Sequence, residues 1–428
     1  MKRRQIIQSL GAGSALGALG MFSGCASTGT GSGAAKVVVV GGGFGGAAAA
    51  KYVRMWSNGG IQVTLVEPNA AFVSCPISNL VLNGKNTVAD ITTPYSNLVS
   101  KHGVNVIHDM VTSINAEKRV VKLAKGGELS YDRLILSPGV DFMWETLPGM
   151  AAAGAKDNIL HAWKAGPQTV ALRKQLEAMP DGGVFAMSIP LAPYRCPPGP
   201  YERACLVADY FKKAKPKSKV LILDGNDDVQ SKKGLFMKAW TDRYKGIIEY
   251  RPKHKLTDVD AKTNTLKFEF NDDIKANVLN VIPSMRAGDI AVKSGLATAN
   301  KRWCEVDFLT HESKAAKNIH VLGDSIQIAP AMPKSGQMAN QHAKTCAAAV
   351  VSLLTGKAVA SSPIYINACY SFVSADEAVH VTSVHRYDAE KKTILTVPGS
   401  GGVSTAASAE EGRYTWAWAK GIWAESLA

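Results

Sequence analysis

Three segments set the fold class. Lys36-Val37-Val38-Val39-Val40 runs straight into a glycine-rich turn and an alanine-rich stretch, Lys219-Val220-Leu221-Ile222-Leu223-Asp224 begins a second strand–helix unit, and Ile319-His320-Val321-Leu322 is a late strand ending in Gly323-Asp324. Apolar runs of this length, alternating with helical segments, predict an α/β fold: two Rossmann-like dinucleotide-binding domains plus a C-terminal α+β domain. The 428 residues suit two or three domains, and 46% hydrophobic against 20% charged residues supports a full core. Disorder and a cystine-stapled miniprotein are thereby excluded.

The chain opens with Met1-Lys2-Arg3-Arg4, followed by an apolar, glycine-rich stretch from Ile6 to Phe22. A charged start, a short weak apolar region and small residues beyond it predict a signal peptide, and the Arg3-Arg4 pair resembles a twin-arginine signal. That route exports folded proteins and predicts a periplasmic location. Phe22-Ser23-Gly24-Cys25 faintly resembles a lipoprotein processing site, so a lipid anchor at Cys25 is the minority expectation. Residues 1–34 are read as signal and linker. No apolar run reaches 18 residues, so no transmembrane span is expected, with peripheral or lipid-anchored association left open.

The first strand meets Gly41-x-Gly43-Phe44-x-Gly46, and a helix is expected from Ala47 to about Trp56. Gly41 permits the tight turn, Gly43 lets backbone approach a pyrophosphate, and Gly46 allows close helix–strand packing. The helix N-terminus offers free amides to the phosphates. Gln62-Val63-Thr64-Leu65-Val66 is the next strand and ends at Glu67, placed to accept both ribose hydroxyls of an adenosine half. A β-meander is expected over 104–133, then the strand Arg133-Leu134-Ile135-Leu136-Ser137, and after the Gly-Asp strand a helix from Ser335 to Leu354. This layout resembles the pyridine nucleotide-disulfide oxidoreductase superfamily, whose fold is of the glutathione-reductase type. The resemblance implies FAD, with Asp324 at the ribityl chain and the following helix aimed at the isoalloxazine.

After Asp224 the middle unit reads Gly225-Asn226-Asp227-Asp228, without a second glycine fingerprint. Carboxylates where a pyrophosphate should rest are electrostatically poor, so this domain is expected to lack a nicotinamide site. Before it, a strand over 181–190 leads to Pro193-Tyr194-Arg195-Cys196-Pro197-Pro198-Gly199-Pro200, a stiff loop followed by a helix from Tyr201 to about Lys213. Cys196 is a candidate reactive cysteine with Arg195 beside it. Glu202 and Arg203 are read either as shaping its field or as a solvated helix start.

Seven cysteines with no CxxC argue against a zinc knuckle, a clustered iron–sulfur site or c-type haem on this chain. From the residues alone, Cys75 and Cys369 are buried or paired cysteines. Cys205 and Cys346 read as core residues, and Cys304 beside Trp303 as structural. His161, His342 and His380 have no metal-ligand spacing. The aromatic tail with Trp416, Trp418 and Trp423 is read as packing, against a membrane-surface helix as the rival.

The export signal, the GGGFGG motif and three cysteine contexts together are more specific. Ser74-Cys75-Pro76-Ile77-Ser78-Asn79, Tyr194-Arg195-Cys196-Pro197-Pro198-Gly199-Pro200-Tyr201-Glu202-Arg203 and Asn367-Ala368-Cys369-Tyr370-Ser371 resemble the flavoprotein subunit of flavocytochrome c sulfide dehydrogenase. The likeness covers essentially the whole mature chain, and sulfide:quinone oxidoreductases share the broader fold. It implies FAD joined through Cys75, and Cys196 with Cys369 as a catalytic redox disulfide. It also implies sulfide as substrate, attacking the disulfide by thiol–disulfide exchange, and a c-type cytochrome subunit as electron acceptor. The alternatives are a sulfide:quinone oxidoreductase and a non-catalytic flavin-binding subunit of a sulfur-oxidation complex.

The implied division is a discontinuous FAD domain over 35–150 and 305–358, a second Rossmann-like domain over 151–304, and an interface domain over 359–428. The net charge of +14 suits an anionic substrate or an acidic partner, and no basic tract with interleaved aromatics suggests nucleic acid.

Overall fold

The structure, a computed structural model, describes residues 33–428; the expected export signal and Cys25 lie outside them. Residues 34–428 form one compact unit. Its first sheet is built from β1 (Lys36–Val40), β2 (Gln62–Val66), β3 (Asn105–Ile107), β4 (Arg133–Leu136) and, far along the chain, β9 (Ile319–Val321). All neighbours are parallel, in the order β9-β4-β1-β2-β3. Val37 to Val40 are all buried, as expected for a strand covered on both faces.

Helix α1 (Phe44–Trp56) starts three residues before the expected Ala47, because Gly43 caps it and Gly45 and Gly46 are already helical. Its alanines Ala47 to Ala50 are fully buried. Small side chains let α1 lie close to the sheet and to α4 (Gly336–Leu354), whose Ala343, Cys346 and Ala347 share the same core. The expected meander is confined to Val111–Asn115, Val120–Leu123 and Glu128–Ser130. Its flanks belong to the parallel sheet instead, since β3 and β4 find partners there.

The second sheet, also parallel, has the order β7-β6-β5-β8, from β5 (Val184–Ile189), β6 (Lys219–Asp224), β7 (Ile248–Arg251) and β8 (Val278–Val281). Helix α2 (Gly199–Ala214) follows β5, and α3 (Lys233–Arg243) follows β6. Pro200 is tolerated in the first turn of α2, where its missing N–H has no helical partner to lose. An antiparallel sheet closes the chain, with β10 (Ile364–Phe372), β11 (Ala378–Asp388) and β12 (Thr393–Thr396) in sequence order.

The aromatic tail is one helix, α5 (Ala409–Leu427), N-capped by Ser408, whose Oγ accepts from Glu411 N. It docks on the first sheet's helix: Lys51 Nζ donates to Ala424 O at 3.1 Å and Tyr52 OH to Glu425 at 3.3 Å. Ala419, Ile422, Trp423 and Leu427 are buried in the core that holds α1. The packing reading of the tail therefore holds. No helix among the described residues is long and apolar enough to cross a membrane.

Candidate functional site

The loop after β1 is shaped for a phosphate group. Gly41 has φ +96°, and a Cβ there would meet Ser137 O at 2.3 Å. Gly46 faces the carbonyl oxygen of Gly41, which a Cβ would approach to 1.8 Å. Gly43 differs: its φ of −73° suits any residue, and a Cβ there meets nothing within 4 Å. Nothing in the protein requires glycine at 43, and since Gly43 lines the cavity the open space leaves room for a ligand lying against the backbone.

Glu67, at the end of β2, is buried and accepts from Gly42 N at 2.7 Å and from Asn69 N and Nδ2 at 2.9 and 2.6 Å. It therefore holds the glycine turn in shape while it lines the cavity, a role the sequence reading lacked. Tyr95 donates to Gly42 O at 3.1 Å from the other side.

A cavity of about 340 Å³ runs from this turn along the ends of both parallel sheets. Gly43, Phe44, Glu67, Cys75, Cys196, Asp324 and Cys369 all line it; Gly41 and Gly46 stand behind it as backbone supports. Asp324 sits in a tight turn after β9, with Oδ1 buried and unpartnered. Burial raises its pKa, against the nearby charges of Arg195 and Lys334. An orphaned acceptor facing a cavity is what a ligand hydroxyl would satisfy. The N-terminus of α4 also reaches the cavity, with Ser335 Oγ capping Met338 N at 3.1 Å. Phosphate cradle, ribose carboxylate, orphaned acceptor and helix N-terminus together fit FAD.

The cysteines reach the cavity from two loops and a strand. Cys75 is half-buried, and its Sγ lies 3.5 Å from Ala165 N and 3.8 Å from Trp163 O. Ser74 beside it is held by Trp423 of α5, whose Nε1 donates to Ser74 Oγ at 3.0 Å. Cys196 has φ +59° at the start of the turn into α2, and its N–H donates to Lys334 O at 2.8 Å. Cys369 comes from β10. Burial pushes both thiols up; for Cys196 the negative charge of Cys369 adds to this, while Lys232 opposes it at both. Cys205, Cys304 and Cys346 are fully buried away from the cavity, as their sequence context predicts.

Four residues at the site carried little sequence signal. Glu202 and Arg203, 7% and 2% exposed, are not a solvated helix start. Glu202 accepts from Asn79 Nδ2 at 3.1 Å and from Phe372 N at 2.9 Å, and Arg203 donates to His161 O, Ala162 O, Asn79 and Asn280. Lys334, 2% exposed, donates to Asp324 O and Ile326 O at 2.8 and 2.7 Å and lies 3.6 Å from the Trp303 ring centre; burial pushes its pKa down to about 7. Lys232 is likewise buried and donates to Cys369 O at 2.9 Å and Ser371 Oγ at 2.8 Å. The one available hint was placement, since loops after parallel strands face the crevice of a doubly wound sheet.

The loop after β6 is held by a side-chain network. Asp224 is fully buried and accepts from Tyr201 OH at 2.7 Å, Tyr250 OH at 3.2 Å and Asn226 Nδ2 at 2.7 Å. Asp228 is turned to Lys233 rather than to a ligand.

Fold and cavity define an FAD-linked flavoprotein of two parallel nucleotide-binding sheets. Sequence comparison agrees: residues 35–178 match pyridine nucleotide-disulphide oxidoreductase, 169–283 the central part of the sulfide dehydrogenase [flavocytochrome c] flavoprotein chain, and 361–427 the flavin-binding part of flavocytochrome c sulphide dehydrogenase. The chain is 27% identical over 280 residues to the mitochondrial sulfide:quinone oxidoreductase of Mus musculus, covering 62% of this chain and 60% of that one. It is 63% identical over 49 residues to the sulfide dehydrogenase [flavocytochrome c] flavoprotein chain of Chlorobaculum thiosulfatiphilum, 11% of this chain and all of that sequence. The sulfide:quinone oxidoreductase structure from Aquifex aeolicus superposes with a TM-score of 0.72 at 18% identity, covering 92% of both chains. The chain belongs to the FAD-linked pyridine nucleotide-disulphide oxidoreductases, in the group holding sulfide:quinone oxidoreductases and flavocytochrome c sulfide dehydrogenase flavoproteins. It spans less than two thirds of the length of the curated sulfide:quinone oxidoreductases it matches.

These findings correct the expectation of sulfide oxidation through a redox disulfide to cytochrome c. The curated relatives matched over most of this chain are sulfide:quinone oxidoreductases, while the curated flavocytochrome likeness spans 49 residues. Cys196 and Cys369, moreover, are free thiols rather than a disulfide.

Proposed function

We propose that the chain is a flavin-dependent sulfide oxidoreductase of the quinone-linked type. The observation that carries this reading is the meeting of Cys196 and Cys369, carried by separate sheets, in the cavity that fits FAD. In net terms, hydrogen sulfide and a quinone give sulfane sulfur and quinol: the sulfide loses two electrons and two protons, and the quinone gains both. A flavin bound here supplies a two-electron relay between a sulfur donor and a quinone acceptor.

The chain's own residues would do the rest. The turn around Gly43 would hold the pyrophosphate, Glu67 the adenosine ribose, Asp324 the ribityl hydroxyls, and the α4 N-terminus would favour negative charge on the ring beside it. Cys196 and Cys369 would hold and pass on the substrate sulfur. The thioether from Cys75 to the flavin is part of the proposal, supported by the placement of Cys75 in the cavity wall. So are the division into two FAD-domain segments, a middle domain and a C-terminal domain, and export of the folded protein to the periplasm.

Quinone as acceptor is supported by the surface beside the site. On β10, Ile364 and Ile366 are 53% and 55% exposed, and Ala368 and Tyr370 on the same face line the cavity. An apolar face that continues into the flavin cavity suits an acceptor drawn from a membrane. The test is anaerobic reduction of decylubiquinone by sulfide with purified, flavin-loaded protein. Quinol formation that needs both Cys196 and Cys369 is expected. Flavin that stays oxidised under sulfide would refute the activity, and flavin that is reduced but not reoxidised by quinone would refute the acceptor.

A further inference from the structure

The β6–α3 loop sits where a nicotinamide-binding domain would hold a pyrophosphate, and here it does something else. Its start is locked by Asp224, which binds Tyr201, Tyr250 and Asn226. Its end is Lys232, the residue that caps α3, with φ +53°. Its side chain reaches across to β10, where Nζ donates to the carbonyl of Cys369 at 2.9 Å and to Ser371 Oγ at 2.8 Å. Lys232 is 7% exposed, so its charge is felt at low local dielectric. A buried ammonium needs negative partners, and those facing it are Cys369, Glu202 and Cys196, with Glu411 further off.

We propose that Lys232, delivered by the β6–α3 loop and anchored on the Cys369 carbonyl, is a positioning residue that offsets the burial opposing ionisation of Cys369 and so makes its thiolate easier to form. The hydrogen bond to the carbonyl of Cys369 itself fixes the ammonium to the residue whose thiolate it compensates. Cys196 also has Arg195 near it, while Lys232 is the cation facing Cys369. Glu202 acts on both thiols in the opposite sense. The pair is thus poised unequally: burial and the carboxylate discourage ionisation at both sites, and the lysine offsets this chiefly where it is anchored. On the proposed function, from which this inference takes its substrate, the same charge would attract hydrosulfide.

The test does not depend on sulfide turnover. The pre-reduced holoprotein is alkylated anaerobically with iodoacetamide from pH 6 to 10, and modification of Cys369 is followed by peptide mass spectrometry. In Lys232→Gln the midpoint for Cys369 should move up by about one unit or more, slowing alkylation at pH 7 about tenfold. Lys232→Arg should restore most of the rate, and Ser371→Ala, which removes one anchor and leaves the charge, should give a smaller shift. A Cys369 profile in Lys232→Gln that superimposes on the parent overturns the proposal. So does an equal loss in the Arg variant, which would mean the lysine acts through shape alone. Should Lys232→Gln fail to fold, the Ser371→Ala profile decides the matter: an unchanged midpoint overturns the inference. An inactive protein that still shows the shift would refute the proposed function and leave this inference standing.

Discussion

Alanine at Gly43 and alanine at Gly46 should fail in different ways. At Gly46 the new Cβ would lie 1.8 Å from Gly41 O and 3.3 Å from Ser137 Cβ. Ordinary contact needs 3.4 Å or more, so α1 and the turn must separate by about 1.6 Å. Overpacking of this kind costs about 1–3 kcal/mol, and the shift also moves the amides that would meet the pyrophosphate. At Gly43 the backbone already suits alanine and the Cβ meets no protein atom, so the apoprotein should keep its stability to within about 0.5 kcal/mol. Its methyl group would instead occupy the space next to the backbone where the cofactor lies. Flavin per chain, by absorbance, and the Tm of the apoprotein, by calorimetry, separate the two cases. Gly43→Ala should have low flavin with a parental apo-Tm; Gly46→Ala should be low in both. Full flavin in Gly43→Ala would refute the reading of that space as a cofactor cradle, and a parental apo-Tm in Gly46→Ala would refute the packing argument.

Other outcomes follow from the same geometry. Cys75→Ser should release its flavin on denaturation in detergent while the parent keeps in-gel flavin fluorescence; flavin lost equally from both would count against the thioether. Trp423→Ala removes a buried indole and its hydrogen bond to Ser74, which should lower stability by about 3–5 kcal/mol. It should also speed alkylation of Cys75 in the apoprotein, and an unchanged rate would show that α5 does not restrain that loop. Burial holds His311 and His320 down to about 4 and His161 down to about 3, below the ordinary 6.5. The folded state keeps these rings neutral while the unfolded chain takes up protons. Their stabilising share is therefore complete above pH 6.5 and is lost as pH falls toward 4 and 3, by at most about 3 kcal/mol each for His311 and His320 and about 5 kcal/mol for His161. Urea midpoints measured from pH 7 to 4 should fall accordingly, and replacing His320 with Gln should flatten the slope. A slope unchanged by that substitution would assign the acid sensitivity to other groups.

Much of the fold is written locally. β1, its glycine turn and α1 follow from four consecutive valines, three spaced glycines and a run of alanines, each acting on its immediate neighbours. Glu67 at the end of β2, Asp324 after β9 and the helix capped by Ser335 are legible for the same reason. The missing second fingerprint after Asp224 is legible too, as an absence of glycine where the backbone would have to approach a phosphate. Cys75, Cys196 and Cys369 are singled out by their contexts, yet no spacing along the chain says that they share a cavity.

That convergence is decided by tertiary structure. The loops carrying Cys75 and Cys196 and the strand carrying Cys369 meet at one cavity, and α5 crosses to the first sheet to pin the Cys75 loop through Trp423. The state of the thiols depends on groups with no sequence signature: Glu202 and Arg203 look like a solvated helix start, and Lys232 lies in a polar stretch that reads as surface. Burial turns these ordinary residues into the field of the site, because a charge removed from water acts strongly on whatever the fold places next to it. The sequence by itself determines the nucleotide-binding frame and the elements that carry the cysteines. Which charges face those cysteines depends on which residues leave solvent together, and only the folded chain decides that.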